Sequence, residues 1–425
     1  MLDGLIAMRS HRPPRCEEQS SSALMTFAAP QGWMDLIDWP LGRQTCTHRA
    51  RRNSGDRMNM PLSERGSWIW RIAGVLAWCG GSFAAAPLPP LGVEPKVTVS
   101  GLSSGGYMAV QFAVAFSASV EGVGVLAGGP FDCAQGSLQE ATTRCSCVLP
   151  PSCSTPTPSV LAVQSALRAS GKAAVEQIDP LDNLKAQRVW LFSGGKDKTV
   201  PAANVDAIGL FYVAHMKLPR SRLRHRRIAA SGHGMPVVPK PAGATACGAS
   251  AYPFLTDCPL DAAGDLLEWL YPDTVSSEQA GAGRLLEFDQ RPYLAGLGYT
   301  GLGDTGYVYV PTPCDAVGAR CRLHVAFHGC RQARDSGDGH GGVVGDLFAR
   351  DAGYNRWAAG SRIVVLYPQV RPIDTGTPLI PYLNNPRACW DFWGYTQPIP
   401  FISRQVTNMA PQMRAVRAMV AALQR

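Results

Sequence analysis

Val97-Thr98-Val99-Ser100-Gly101-Leu102-Ser103-Ser104-Gly105-Gly106-Tyr107-Met108 decides how this chain is read. Val97 to Ser100 is a β-branched run that stops at a glycine, which predicts a short strand. Tyr107 to Ser117 is apolar and free of Gly and Pro, which predicts a helix. Between them, Gly101-Leu102-Ser103-Ser104-Gly105 has the G-x-S-x-G spacing of a sharp strand-to-helix turn that lifts a serine above a sheet. Small residues are needed there because the strained turn brings backbone and helix close together. Ser103 is therefore the candidate nucleophile, and the amide of Ser104 is a candidate oxyanion donor.

A serine hydroxyl is a poor nucleophile until a base takes its proton, and the base needs a carboxylate to orient it. In a strand-elbow-helix architecture these follow in the order Ser, Asp, His, each on a loop after a later strand. Arg188 to Phe192 predicts a buried strand, and Ser193-Gly194-Gly195-Lys196-Asp197 follows it, so Asp197 is the candidate acid. Asp206 is the alternative, but it falls inside the next predicted helix, 203–216. Leu223 to Ala230 predicts a strand leading into Ser231-Gly232-His233-Gly234, which makes His233 the candidate base. His215 and His225 fall in a predicted helix and a predicted strand, where an exposed or core histidine is the ordinary reading.

Further strands are predicted at 122–126, 307–310, 323–327 and 363–367, and further helices at 160–177, 262–270 and 409–423. Residues 133–158 are rich in Cys, Pro and Ser and predict a disulfide-tied loop. Strands alternating with helices imply an α/β fold with a mostly parallel sheet covered on both faces. No internal repeat or long linker interrupts residues 87–425, which are expected to form one catalytic domain.

One feature is out of its usual place. A second oxyanion donor commonly lies on an H-G motif upstream of the serine, yet once the secretory leader at 58–86 is set aside only about a dozen residues precede strand 97–100. The motif occurs late instead, as His324-Val325-Ala326-Phe327-His328-Gly329-Cys330-Arg331-Gln332 at the end of an apolar strand. The first part of the sheet has moved to the C-terminal half, a circular permutation, and the Cys330 amide becomes the candidate second donor.

The chain has 425 residues, 46% hydrophobic and 17% charged, enough for a sizeable core. Its net charge is +8, with arginines unevenly placed and many of them before residue 72, as in Arg49-Ala50-Arg51-Arg52, and no basic stripe with interleaved aromatics speaks for nucleic acid. Arg65 and Arg71 flank the short apolar run Ile72 to Phe83, which ends in Ala84-Ala85-Ala86. That is the three-part pattern of a secretory leader over 58–86, too short for a membrane span. The preceding residues 1–57 read as a non-native or disordered extension, with Met58 or Met60 as the true start. Export to the extracellular space or periplasm is thus expected. Setting aside Cys16, Cys46 and Cys79 from the 13 cysteines leaves ten, an even set that reads as disulfides. Cys247–Cys258 and Cys314–Cys321 are possible local pairs. Cys145-x-Cys147 lacks zinc spacing, so no metal and no cofactor are expected.

Taken together, these segments resemble the poly(3-hydroxybutyrate) depolymerases with a circularly permuted α/β-hydrolase catalytic domain. The resemblance rests on residues 101–108, the Asp197 and His233 loops, Phe327-His328-Gly329-Cys330, Val365-Leu366-Tyr367-Pro368-Gln369, and Asn385-Pro386-Arg387-Ala388-Cys389-Trp390-Asp391-Phe392-Trp393-Gly394-Tyr395. It implies Ser103, Asp197 and His233 as triad, and the Ser104 and Cys330 amides as oxyanion hole. It further implies a Cys330–Cys389 disulfide, with Trp390, Trp393 and Tyr107 as substrate contacts. The substrate would be a polyester or oligoester, whose small apolar repeat suits aromatic walls. Many secreted depolymerases append a linker and a polymer-binding domain after the catalytic domain. Helix 409–423 closes this sequence without them, so attack on crystalline polymer is not expected from the sequence, and short oligomers and amorphous polymer stay open as substrates. A feruloyl or acetylxylan esterase and a non-catalytic binding protein on the same scaffold are the alternatives.

Overall fold

The computed structural model describes residues 85–150, 152–273, 281–375, 384–397 and 404–425. The N-terminal extension and most of the expected leader lie outside these residues. Ala86 lies inside, and its carbonyl accepts the Asp289 N–H at 2.8 Å.

The first half of the chain builds one side of a sheet. β1 (Val97–Leu102) runs straight into α1 (Ser104–Ala115), and β2 (Val120–Leu126) returns parallel to β1. A loop containing the one-turn helix α2 (Leu138–Glu140) leads to α3 (Pro158–Ala174), then β3 (Arg188–Gly194), α4 (Ala202–Leu210) and β4 (Leu223–Ile228). β5 (Met235–Pro236), β6 (Thr245–Ala246) and β7 (Leu255–Asp257) form a small parallel sheet of their own, before α5 (Ala262–Leu270). The second half adds β8 (Gly283–Asp289), β9 (Thr305–Pro311), β10 (Arg322–Phe327), α6 (Leu347–Asp351), α7 (Tyr354–Ser361), β11 (Ile363–Tyr367) and α8 (Pro411–Leu423).

The main sheet has eight strands in the order β4-β3-β2-β1-β10-β11-β9-β8. Its strands are parallel from β4 to β11, and β9 runs antiparallel to both of its neighbours, β11 and β8. β1 therefore sits between a strand from its own half and one from the C-terminal half. This is the permuted α/β order expected from the late H-G motif. β1, β2 and β11 are almost wholly buried, as strands covered on both faces must be. Helices α1 and α8 cover one face and α5 and α7 the other, each face with its own apolar cluster.

The sequence misplaced several boundaries. α1 starts at Ser104, three residues before its predicted start, because the strained turn at Ser103 ends the strand and opens the helix at once. The helix predicted over 203–216 is α4 only to Leu210, and continues as a wider π-turn over Phe211–His215. β8, α6 and α7 were not anticipated. β8 is a half-exposed edge strand whose charged residues break the apolar signal, and the two helices have five and eight residues.

Beneath the nucleophile strand runs a buried polar network. Thr98 Oγ1 and Ser100 Oγ on β1 hold the two ring nitrogens of His324 on β10 at 2.6 and 2.7 Å. Ser100 Oγ also meets Tyr354 OH at 2.7 Å. Burial depresses the His324 pKa to about 3, so the ring is neutral and knits β1 to β10.

Candidate active site

Ser103 stands at φ 58°, ψ −122°, a conformation that costs a non-glycine residue about 1–3 kcal/mol. Its amide donates to Leu126 O at 2.9 Å, which ties the turn to β2. The flanking glycines have steric reasons. A methyl on Gly101 would lie 2.2 Å from Gly105 O, and one on Gly105 would lie 2.3 Å from Phe327 O. The elbow is therefore pressed onto the C-terminal end of β10, where the H-G motif begins. Ser104 opens α1, and the first amides of a helix have no intrahelical acceptor.

Asp197 lies in the loop after β3. Its Oδ1 accepts the amides of Thr199 and Val200 at 2.8 and 2.9 Å, and its Oδ2 faces His233 Nδ1 at 2.7 Å. A carboxylate only accepts, so Nδ1 carries the proton and the neutral ring keeps Nε2 as acceptor. Both residues are buried. Asp206, the alternative acid, pairs with Arg227 outside this site.

The His233 loop rests in a cradle bounded by the Cys247–Cys258 disulfide. Gly232 N–H donates to Cys247 O at 2.9 Å, His233 N–H to Ser250 Oγ at 2.8 Å, and Met235 N–H to Phe254 O at 2.8 Å. The Phe254 ring meets the imidazole edge-on, 6.2 Å between centroids. Opposite, the Gly329 N–H donates to Gln332 Oε1 at 2.7 Å and the Arg331 N–H to Arg387 O at 2.6 Å. The Cys330 amide between them has no acceptor among the described residues. Gln332 is buried, and its Nε2 donates to Pro253 O at 2.8 Å. One side chain thus joins the Cys330 loop to the cradle of the candidate base, His233. Sequence reasoning passed over Gln332, Ser250 and Phe254. For Gln332 the signal was its place two residues after Cys330.

Behind Gly329, His328 is fully buried. Its Nε2 accepts the Val370 amide at 3.3 Å, so Nδ1 carries the proton and donates to Gly329 O at 2.8 Å. Burial pushes its pKa down to about 4, which keeps this neutral tautomer.

Ser103, Ser104, His233, Gln332 and Cys330 line one cleft of about 640 Å³. Its walls also carry Tyr107, Phe392, Trp393, Leu138, Val148 and Leu149. Tyr107 stacks on Phe392 with centroids 4.4 Å apart, and its hydroxyl donates to Cys145 O. Trp390 needs correction. Expected to touch substrate, it is fully buried against Phe327 and His328, under the wall that Phe392 and Trp393 present. Two tryptophans three residues apart cannot share a surface when the intervening turn is wound around a buried carboxylate. Asp391 accepts the amides of Gly394, Tyr395 and Thr396 at 2.6, 3.0 and 3.0 Å, which winds that turn. Burial raises the Asp391 pKa, and these donors oppose the rise.

Among the described residues there are five disulfides: Cys133–Cys145, Cys147–Cys153, Cys247–Cys258, Cys314–Cys321 and Cys330–Cys389. The last closes 59 residues and clamps the Cys330 loop to the aromatic turn. No cluster of ligating side chains suited to a metal occurs among the described residues. Nor is any described helix long and apolar enough to cross a membrane.

No family model matches the chain. It is 37% identical over 352 residues to a poly(3-hydroxybutyrate) depolymerase of Delftia acidovorans, covering 81% of this chain and 63% of that relative, just under two thirds of its length. It is 33% identical over 333 residues to a polyhydroxybutyrate depolymerase of Talaromyces funiculosus, covering 76% of this chain and 90% of the relative. Among solved structures it is similar to the PHB depolymerase of Penicillium funiculosum, with TM-score 0.66 and 28% identity, covering 80% of this chain and 98% of that one. The same values hold for a serine-to-alanine variant of a PHB depolymerase complexed with an R3HB trimer. With one such relative matched over nine-tenths of its length, this chain belongs to the poly(3-hydroxybutyrate) depolymerase family.

Proposed function

We propose that this chain is a carboxylic ester hydrolase that cleaves poly(3-hydroxybutyrate) or its oligomers through an acyl-enzyme on Ser103. The observation that carries the proposal is the juxtaposition of a strained elbow serine with a His233–Asp197 pair, Nδ1 to Oδ2 2.7 Å, in one apolar-walled cleft. Ser103 attacks the ester carbonyl while His233 Nε2 takes its proton, and Asp197 holds the ring and its developing charge. The amides of Ser104 and Cys330 receive the negative charge that grows on the carbonyl oxygen. His233 then protonates the departing alcohol and activates the water that frees the acid. Tyr107, Phe392 and Trp393 offer apolar faces to the methyl groups of the repeat. A relative complexed with an R3HB trimer supports this substrate class.

Five disulfides support residence in an oxidising compartment, outside the cell or in the periplasm, with residues 87–425 as the catalytic domain behind a leader at 58–86. The test is hydrolysis of the hydroxybutyrate trimer beside a feruloyl ester. Turnover of the trimer that vanishes in Ser103→Ala, in a folded protein, is expected. Preference for the feruloyl ester would overturn the substrate assignment.

A further inference from the structure

The charge on the cleft wall is one-sided. Among the described residues lining it, only His233, Arg331 and Arg387 can carry a charge, and none is an Asp or Glu. Arg331 and Arg387 are exposed, and neither has a carboxylate within ion-pair distance among the described residues. Some exposed arginines of this chain have one, as Arg226 with Asp265 and Arg291 with Asp289, and others, such as Arg362 and Arg371, have none among the described residues; what sets Arg331 and Arg387 apart is that both line the cleft. The sequence segments 376–383 and 398–403, which flank the stretch bearing Arg387, contain no Asp or Glu either.

The two arginines are also held together. Arg331 N–H donates to Arg387 O at 2.6 Å, and Arg331 sits in the left-handed region at φ 65°. Arg331 directly follows Cys330 and Arg387 precedes Cys389 by two residues, so the Cys330–Cys389 disulfide fixes both stems beside the candidate oxyanion donor. Two cationic residues whose backbones are fixed beside a cleft that carries no acidic residue among its described lining bias that rim toward an anionic ligand.

We propose that Arg331 and Arg387 form a carboxylate subsite that recognises the carboxyl-terminal end of an oligo(3-hydroxybutyrate) chain. An oligoester of this hydroxy acid has one ionised group, its terminal carboxylate, and that group lies on the alcohol side of every ester in the chain. A carboxylate held at this rim places the leaving half of the substrate there and the acyl half against Ser103. The enzyme then releases short hydroxy acids from the carboxyl end. Guanidinium groups suit the task because they bind carboxylates through paired, planar hydrogen bonds. The inference rests on the ester hydrolase reading above and names the part of the substrate that the site selects.

The experiment compares the hydroxybutyrate trimer as free acid with its methyl ester, which keeps every scissile bond and removes the charge. The wild-type protein is expected to prefer the acid by about five- to tenfold in kcat/KM, mainly through KM, as suits two exposed ion pairs. Raising the salt to about 0.5 M shrinks that preference. In Arg331→Met/Arg387→Met the acid and the ester are expected to react with equal kcat/KM. Equal rates for acid and ester in the wild-type protein, or a preference that survives in the double variant, would overturn the subsite. Failure to hydrolyse either compound would instead overturn the ester hydrolase reading.

Discussion

Gln332→Leu removes a side chain that bridges the Cys330 loop and the loop behind His233, the two halves of the proposed catalytic site. The substitution keeps the approximate volume, but it leaves the Gly329 N–H and Pro253 O without the partners they have at 2.7 and 2.8 Å. Gln332 is 1% exposed, so water does not readily replace it. Each orphaned group costs about 1–3 kcal/mol, or about 2–6 kcal/mol of stability together. Catalysis should lose more than stability suggests. The Gly329 N–H anchors the peptide next to the one that carries the Cys330 N–H, and one misplaced oxyanion donor is worth up to about 10²–10³ in rate. We expect kcat on the trimer to fall about 30- to 300-fold, with KM changing less than threefold. Gln332→Glu separates the two contacts, because its carboxylate still accepts from Gly329 N–H while losing the donor to Pro253. Its kcat should fall less than that of Gln332→Leu. Steady-state kinetics at a temperature well below both melting points is the assay. A kcat within twofold of wild type for Gln332→Leu would refute the reasoning. So would a loss that appears wholly in KM.

Other outcomes follow from single contacts. Asp197→Asn, which removes the acceptor that fixes the His233 tautomer, should lower kcat about 10³- to 10⁴-fold while circular dichroism stays native. Gly105→Ala places a methyl 2.3 Å from Phe327 O and 2.5 Å from His328 O, so folded yield or melting temperature should drop sharply. The depressed pKa values of His324, about 3, and His328, about 4, lie below the ordinary value near 6.5. The unfolded chain therefore binds protons first. Stability is full above about pH 6.5 and falls between there and about pH 4, by up to ~1.4 kcal/mol per pH unit for each ring. Urea midpoints measured across that window should decline, and the slope should be shallower in His324→Gln. Mild reduction of Cys330–Cys389, which lines the cleft, should lower activity before near-ultraviolet circular dichroism reports global unfolding.

What the sequence disclosed and what it hid divide along a physical line. Candidates Ser103 and Asp197 follow buried strands and candidate His233 a glycine-flanked loop after the charged, half-exposed β4, so local pattern and chain order singled them out. The permutation was legible for the same reason, since His328-Gly329 ends a strand that could only lie beside β1. Gln332 and Ser250 were hidden because their importance lies in partners 79 and 17 residues away, which no local pattern encodes. Trp390 and Trp393 looked equivalent in sequence. Only the winding of the turn around Asp391 decides that one is core and the other wall. The half-exposed strand β8 escaped notice because an edge strand with one wet face carries too little apolar signal.

The account stands or falls on the acyl-enzyme at Ser103. Intact-mass and peptide mass spectrometry after exposure to a fluorophosphonate tests it most directly, run beside trimer hydrolysis. One adduct per chain is predicted, on the peptide containing Gly101-Leu102-Ser103-Ser104-Gly105, absent from Ser103→Ala and accompanied by complete loss of hydrolysis. An adduct on a different serine, or trimer turnover that persists in Ser103→Ala, would contradict it.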